Sequence, residues 1–303
     1  MNFGNHSEER TMYITTNDEV QLWVECHGTG TPILFIHEFG GNYDSWQPQI
    51  HAFSRRYQCI TYAARGYPPS SVPQALEAYS QQRAVDDALA VLDGLGIAQA
   101  HIVGLSMGGF AALHFGLNAP ERALSLTIAG AGYGCEPETE AYFRQVSLQV
   151  GENFARQGAK AFAPTYALGA SRVQFQNKDP LGWQRFADRL AEHDSLGASL
   201  TMRGVQARRP AFYQLEAQIE ALHLPVLIMV GDEDDHCLQP GLYLKKHLPA
   251  AGLAILPKTG HTLNLEEPQL FNQLLAEFFA QVESGNWGVR DPRANPAQIM
   301  RTD

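Results

Sequence analysis

The stretch Gly104-Leu105-Ser106-Met107-Gly108 sets a hydroxyl between two glycines. The apolar pair Ile102 and Val103 precedes it, as in a buried strand, while Phe110, Leu113, His114 and Leu117 follow at helical spacing. The pattern predicts a strand, a sharp turn permitted by the missing Cβ atoms, and a helix. That geometry exposes Ser106 Oγ and turns the free N–H groups of the helix start toward a developing oxyanion. Such a serine is a poor nucleophile unless an imidazole takes its proton and a carboxylate holds that imidazole in the right tautomer. Acyl transfer from this turn therefore requires an acid and then a histidine, each at the end of a later strand.

Both occur, in that order. The apolar run Pro225-Val226-Leu227-Ile228-Met229-Val230 has strand length and stops at Gly231-Asp232-Glu233-Asp234-Asp235, a polar turn with four carboxylates. Leu253-Ala254-Ile255-Leu256 is a second short run, followed by Gly260-His261 and a helical segment with Phe271, Leu274, Leu275, Phe278 and Val282 on one face. Any of the four acidic residues could serve, and Asp234 is favoured by its offset after Gly231 and before Pro240.

With these motifs the chain resembles the α/β-hydrolase superfamily from about Tyr13 to about Val282. Ile33-Leu34-Phe35-Ile36-His37-Glu38-Phe39-Gly40-Gly41 is similar to that family's strand and oxyanion loop, and Arg65-Gly66-Tyr67-Pro68-Pro69-Ser70 to the turn after its next strand. The resemblance implies an α/β fold: a mostly parallel central sheet flanked by helices, with an inserted helical lid. It also implies a triad of Ser106, Asp234 and His261, an oxyanion hole formed by the backbone N–H groups of Phe39 and Met107, and no cofactor. Three departures stand out. Glu38 replaces a usual glycine and adds a carboxylate beside the oxyanion loop, Ala63 replaces a frequent aspartate, and Pro68 and Pro69 stiffen the turn after Arg65. His37 is expected to brace the oxyanion loop.

The supporting elements are legible in outline. Residues 11–26 read as a hairpin turning at Asn17-Asp18, residues 80–95 as a helix, and residues 124–129 as a strand. Strand-helix alternation then breaks across residues 133–215, where helical stretches follow one another. The expected organisation is a core in two parts, 1–132 and 216–283, interrupted by a lid at 133–215 and followed by a tail at 284–303. In the lid, Tyr142, Phe143, Phe162, Tyr166, Trp183 and Phe212 could be core packing or the wall of an apolar substrate pocket. The tail is expected to be mobile or to pack on a neighbouring subunit.

Composition bounds the partners. A chain of 303 residues with 45% hydrophobic and 18% charged residues can bury an ample core without metals or disulfides. A net charge of −10 and the lack of a basic stripe argue against nucleic acid. The four cysteines form no C-x-x-C pair, and the acidic run beside His236 and Cys237 lacks the spacing of a carboxylate metal loop, so no metal is expected. Residues 1–10 carry no apolar leader and no run approaches a membrane span, which points to the cytoplasm. The expected partner is a small-molecule substrate, with homo-oligomerisation left open.

Three functions fit these residues. The first is hydrolysis of a carboxylic ester or lactone of a small, partly apolar substrate through an acyl-enzyme. The second is hydrolysis of carbon-carbon bonds in ring-cleavage diketones, whose enzymes are similar in lid and Ser-Met-Gly-Gly elbow. The third is a low-turnover ligand-binding protein on the same fold. Epoxide hydrolysis and dehalogenation would need an aspartate where Ser106 stands.

Overall fold

The computed structural model describes residues 10–294. Among these residues one sheet is built from β1 (Arg10–Thr15), β2 (Gln21–His27), β3 (Thr31–Ile36), β4 (Tyr57–Tyr62), β5 (Ala100–Leu105), β6 (Ala123–Ala129), β7 (Val226–Gly231) and β8 (Ala251–Leu256). Their spatial order is β1-β2-β4-β3-β5-β6-β7-β8. The β1/β2 and β2/β4 pairs are antiparallel and every later pair is parallel. The central strands are buried on both faces and mostly apolar, with Thr61, His101, Ser125 and Thr127 as buried polar exceptions. In β3, Ile33 and Phe35 enter one core layer, while Leu34 and Ile36 enter the other.

Helices α1 (Gln47–Phe53), α2 (Gln81–Gly94) and α3 (Met107–Asn118) join the first six strands. Ser80 caps α2 by accepting the Arg83 N–H, as its position before an apolar-periodic run suggests. Between β6 and β7 the chain leaves the sheet for α4 (Pro137–Gln157), α5 (Ala159–Ala167), α6 (Val173–Lys178), α7 (Pro180–Ala191), α8 (Ser195–Thr201) and α9 (Glu216–Glu220). A π-helical turn, Met202–Gln206, extends α8. The rest comprises α10 (Asp235–His247), α11 (Leu263–Glu266) and α12 (Pro268–Glu283). Buried side chains of α2, α3 and α10 fill one layer, and those of α1 and α12 the other. The result is an α/β-hydrolase fold with a helical insertion after β6.

Part of the expected tail is held to its own chain. The Trp287 indole N–H donates to the Ala250 carbonyl at 2.8 Å, and its ring packs edge-on to Phe278 at 4.6 Å. A Cβ at Gly252 would stand 2.6 Å from that ring, so a bare backbone on β8 receives the indole. Trp287 thus staples the segment after α12 to the sheet edge, where the sequence suggested a free or intersubunit arm. The final nine positions of that expected tail lie outside the described residues.

Candidate active site

Ser106 stands at the C-terminal end of β5, and it carries the turn's strain itself, with φ +56° and ψ −111°. Such a backbone costs a non-glycine residue about 1–3 kcal/mol and persists only where neighbours hold it. Here the Ser106 N–H donates to the Ala129 carbonyl at 2.8 Å, and the Ser106 carbonyl accepts the Phe110 N–H at 3.0 Å. The flanking glycines serve a purpose other than flexible dihedrals. A Cβ at Gly104 would lie 1.9 Å from the Gly108 carbonyl oxygen, and one at Gly108 only 2.0 Å from that of Ile36. The elbow needs glycine because three stretches of backbone touch there. That contact also brings the start of α3 against the loop after β3, which holds His37, Glu38 and Phe39.

The acid turn and the histidine loop meet by the same device. A Cβ at Gly231 would be 2.1 Å from the Thr259 carbonyl oxygen, and one at Gly260 would be 2.4 Å from that of Ser171. Of the four carboxylates after β7, Asp232 and Asp235 are exposed, Glu233 is half-buried and Asp234 is buried. His261 Nδ1 lies 2.7 Å from Asp234 Oδ2, and its Nε2 lies 2.8 Å from Ser106 Oγ. Burial pushes the Asp234 carboxyl up, but His261, the Cys237 thiol and Arg172 outweigh it and hold the group below its ordinary value. Asp234 is thus a carboxylate, and the tautomer that serves it donates Nδ1–H to Asp234 and accepts from the Ser106 hydroxyl. Glu266 fixes the loop by accepting the Gly260 and Thr262 N–H groups at 2.8 and 3.2 Å.

At the positions expected to form an oxyanion hole, Met107 opens α3, so its N–H has no partner within the helix. The Phe39 N–H meets no acceptor among the described residues. The preceding residues are locked. His37 Nδ1–H donates to the Glu38 carbonyl at 2.7 Å while Nε2 accepts the Ala64 N–H at 3.1 Å, an arrangement that needs a neutral ring. Burial lowers its pKa to about 4, in keeping with that.

Glu38, expected as a carboxylate beside the Phe39 loop, is not free. It is buried and pairs with Arg172, also buried, which reaches from the insertion with both amino groups. Burial raises the Glu38 carboxyl, and the Arg172 charge and hydrogen bonds bring it below its usual range. The same guanidinium donates to Thr262 Oγ1, beside the histidine, and the Ser171 carbonyl accepts the His261 N–H at 3.0 Å. Arg172 therefore ties the loop after β3, the histidine loop and the insertion together. Sequence reasoning missed it; the signal available was Glu38, a carboxylate inside an apolar strand-loop motif that burial would force to find a cation.

A cavity of about 390 Å³ lies between core and insertion. Ser106, Asp234 and His261 line it from the core; Phe143, Phe162 and Tyr166 line it from the insertion. The other three aromatic candidates do not: Phe212 packs in the core on Phe110, the Trp183 indole N–H donates to the Ala167 carbonyl, and Tyr142 is exposed. The cavity also contains Arg209, likewise unforeseen.

A serine hydroxyl, an imidazole and a carboxylate stand in unbroken hydrogen-bond contact at the carboxyl ends of parallel strands, an arrangement whose chemistry suits acyl transfer. The family model for the alpha/beta hydrolase fold matches residues 31–268, and the chain belongs to that family. It is 26% identical over 280 residues to 3-oxoadipate enol-lactonase 1 of Acinetobacter baylyi, covering 91% of this chain and all of the relative. Among solved structures, the enol-lactonase of Burkholderia xenovorans LB400 superposes with a TM-score of 0.78 at 20% identity, over 89% of this chain and 100% of that one. A thermophilic esterase of Thermogutta terrifontis does so with a TM-score of 0.80 at 23% identity, over 90% and 99%. Family and relatives indicate a hydrolase. Among the described residues no helix is long and apolar enough to cross a membrane.

Proposed function

We propose that the protein is a serine hydrolase that cleaves a carboxylic ester or lactone of a small, partly apolar substrate. The observation that carries this reading is the continuous Ser106–His261–Asp234 contact, 2.8 and 2.7 Å, opening onto a cavity of about 390 Å³. His261 Nε2 takes the hydroxyl proton as Ser106 Oγ attacks the carbonyl carbon, and Asp234 stabilises the imidazolium. The Phe39 and Met107 N–H groups receive the oxyanion. Collapse expels the alcohol, which takes its proton from His261, and a water activated by the same histidine releases the acid. The α4–α8 region acts as a lid whose aromatic side chains shelter the acyl group. The reaction needs only a small molecule and water, and we place it in the cytoplasm, in keeping with four buried, unpaired cysteines.

The test is to treat the protein with a serine-directed phosphonate and to offer it a chromogenic short-chain ester, a lactone and a vinylogous diketone. Labelling at Ser106 with repeated turnover of ester or lactone is the expected result. Cleavage of the diketone alone would replace this reading with carbon-carbon hydrolysis, and labelling without turnover on any substrate would replace it with ligand binding.

A further inference from the structure

The helical insertion places a guanidinium in the catalytic cavity without a counter-charge. Arg209 lines the cavity that contains Ser106 and also an adjoining one of about 300 Å³. One of its amino groups donates to Gln206 Oε1 and the other to the Tyr133 carbonyl, at 2.8 Å. The Phe110 and Phe143 rings cover the guanidinium, with centroids 3.6 and 4.6 Å from its central carbon. Among the described residues no carboxylate lies within ion-pair distance of it. The contrast with the two buried arginines is sharp: Arg65 is held by Asp18 and Asp87, and Arg172 by Glu38.

We infer that the substrate carries a carboxylate and that Arg209 receives it. This rests on the hydrolase reading and narrows it to anionic esters or lactones. Guanidinium has five N–H donors, of which two are engaged by protein oxygens, so donors remain at its edge. The remaining donors of the planar fork can offer a carboxylate two parallel hydrogen bonds, and the aromatic rings beside it leave the cation without a competing anion. The acids nearest the reaction centre are already committed, Asp234 to His261 and Glu38 to Arg172. Burial lowers the Arg209 pKa only to about 10, and its neighbours Cys135 and Tyr166 are each pushed up to about 12, so at neutral pH the cation stands among uncharged groups. The adjoining cavity adds Arg144 and Arg208 against Glu140. On a chain of net charge −10, this approach is locally positive and draws anions toward Ser106.

The experiment compares kcat/KM for two matched pairs: mono-p-nitrophenyl glutarate against p-nitrophenyl pentanoate, and the pentanoate ester of hydroxybenzoate against phenyl pentanoate. The carboxylate sits on the acyl arm in the first pair and on the alcohol arm in the second. The wild-type protein should prefer the charged member of at least one pair, and Arg209→Met should cut that preference roughly 10²-fold, as expected for loss of charge-assisted hydrogen bonds. Arg209→Lys, which keeps the charge without the fork, should restore only part. Should Arg209→Met fail to fold, wild-type protein answers alone: glutarate should compete with substrate while its diamide does not. A purely structural Arg209 would lower stability and leave the preference intact. That result, absence of preference in a protein whose Ser106 still reacts with a neutral phosphonate, or equal competition by acid and diamide would overturn the inference. Failure of Ser106 to react at all would bring down the hydrolase reading beneath it.

Discussion

The core side and the insertion side of the cavity share close backbone contacts, but the insertion side adds a buried arginine–carboxylate pair. On the core side, main chain touches main chain: Gly104 on Gly108, Gly108 on Ile36, and Gly231 on Thr259, each closer than any Cβ would allow. On the insertion side such contacts recur, Gly260 on Ser171 and Gly197 on Gly66, and a buried ion pair is added to them, with Arg172 joining Glu38 to Thr262. The backbone contacts of the core side are set by the sheet and do not reorganise. A buried ion pair depends on both partners, and losing one leaves an uncompensated charge. The core side should therefore tolerate removal of a reacting group without structural loss, while the insertion side should lose stability when one charge goes.

The largest effect expected is on the core side. Ser106→Ala should abolish phosphonate labelling and lower kcat roughly 10⁶-fold, with a melting temperature at or above that of wild type, because it removes only a hydroxyl. A marked loss of stability in that variant would break the contrast. Asp234→Asn comes next, at about 10⁴-fold in kcat, since an amide in the place of the 2.7 Å partner favours the wrong histidine tautomer. Retained activity would pass the acid's role to Glu233 or another carboxylate of the turn.

On the insertion side, Arg172→Met should cost about 3–5 kcal/mol by chemical denaturation, because Glu38 is left buried without its cation. It should also lower kcat, since the histidine loop loses the Thr262 tie. The double variant Glu38→Gln/Arg172→Met should recover part of the stability, and strictly additive losses would show that the two side chains do not act as a pair.

Legibility in the sequence follows the same division. The elbow, the acid turn and the histidine loop could be read because glycine is demanded by close backbone approach and leaves a mark at fixed offset from the reacting residue. Even there the reason differed in part: the left-handed strain falls on Ser106, and its glycines make room. Asp234 stood among four acids until burial separated it. Arg172 and Arg209 left little local mark: Glu38 lies 134 residues from the first, and the second is held by the Tyr133 carbonyl and by aromatic rings of distant helices, with only Gln206 near it in the chain. Nor could the sequence tell that Phe143, Phe162 and Tyr166 line the cavity while Phe212 does not, because all four satisfy the same hydrophobic pattern.

The smallest effect tests the insertion side from its own interior. His193, just after α7, is buried edge-on against Tyr67 at 5.0 Å, and among the described residues neither of its ring nitrogens has a hydrogen-bond partner. Burial, with the nearby His37, lowers its pKa to about 3. In the unfolded chain the ring takes a proton near its ordinary value of about 6.5. Between these values the unfolded state binds more protons, so the stability of the native state is whole above pH 6.5 and falls as the pH drops toward 3. His101, in the core and lowered to about 4, adds to the same slope, but Ser125 lies 2.7 Å from its Nδ1, so its replacement would strand a hydroxyl. His193→Leu strands nothing. It should therefore gain about 1 kcal/mol at pH 7, from removing an unpaired buried polar ring, and more at pH 5. The loss of carboxylate stabilisation at Asp234 and Glu38, both held low, belongs to a window below about pH 4 and should be the same in both proteins. Denaturation curves at pH 7, 5 and 3.5 separate the two windows, and an equal gain at pH 7 and pH 5 would show that His193 takes its proton in the native state as readily as in the unfolded chain.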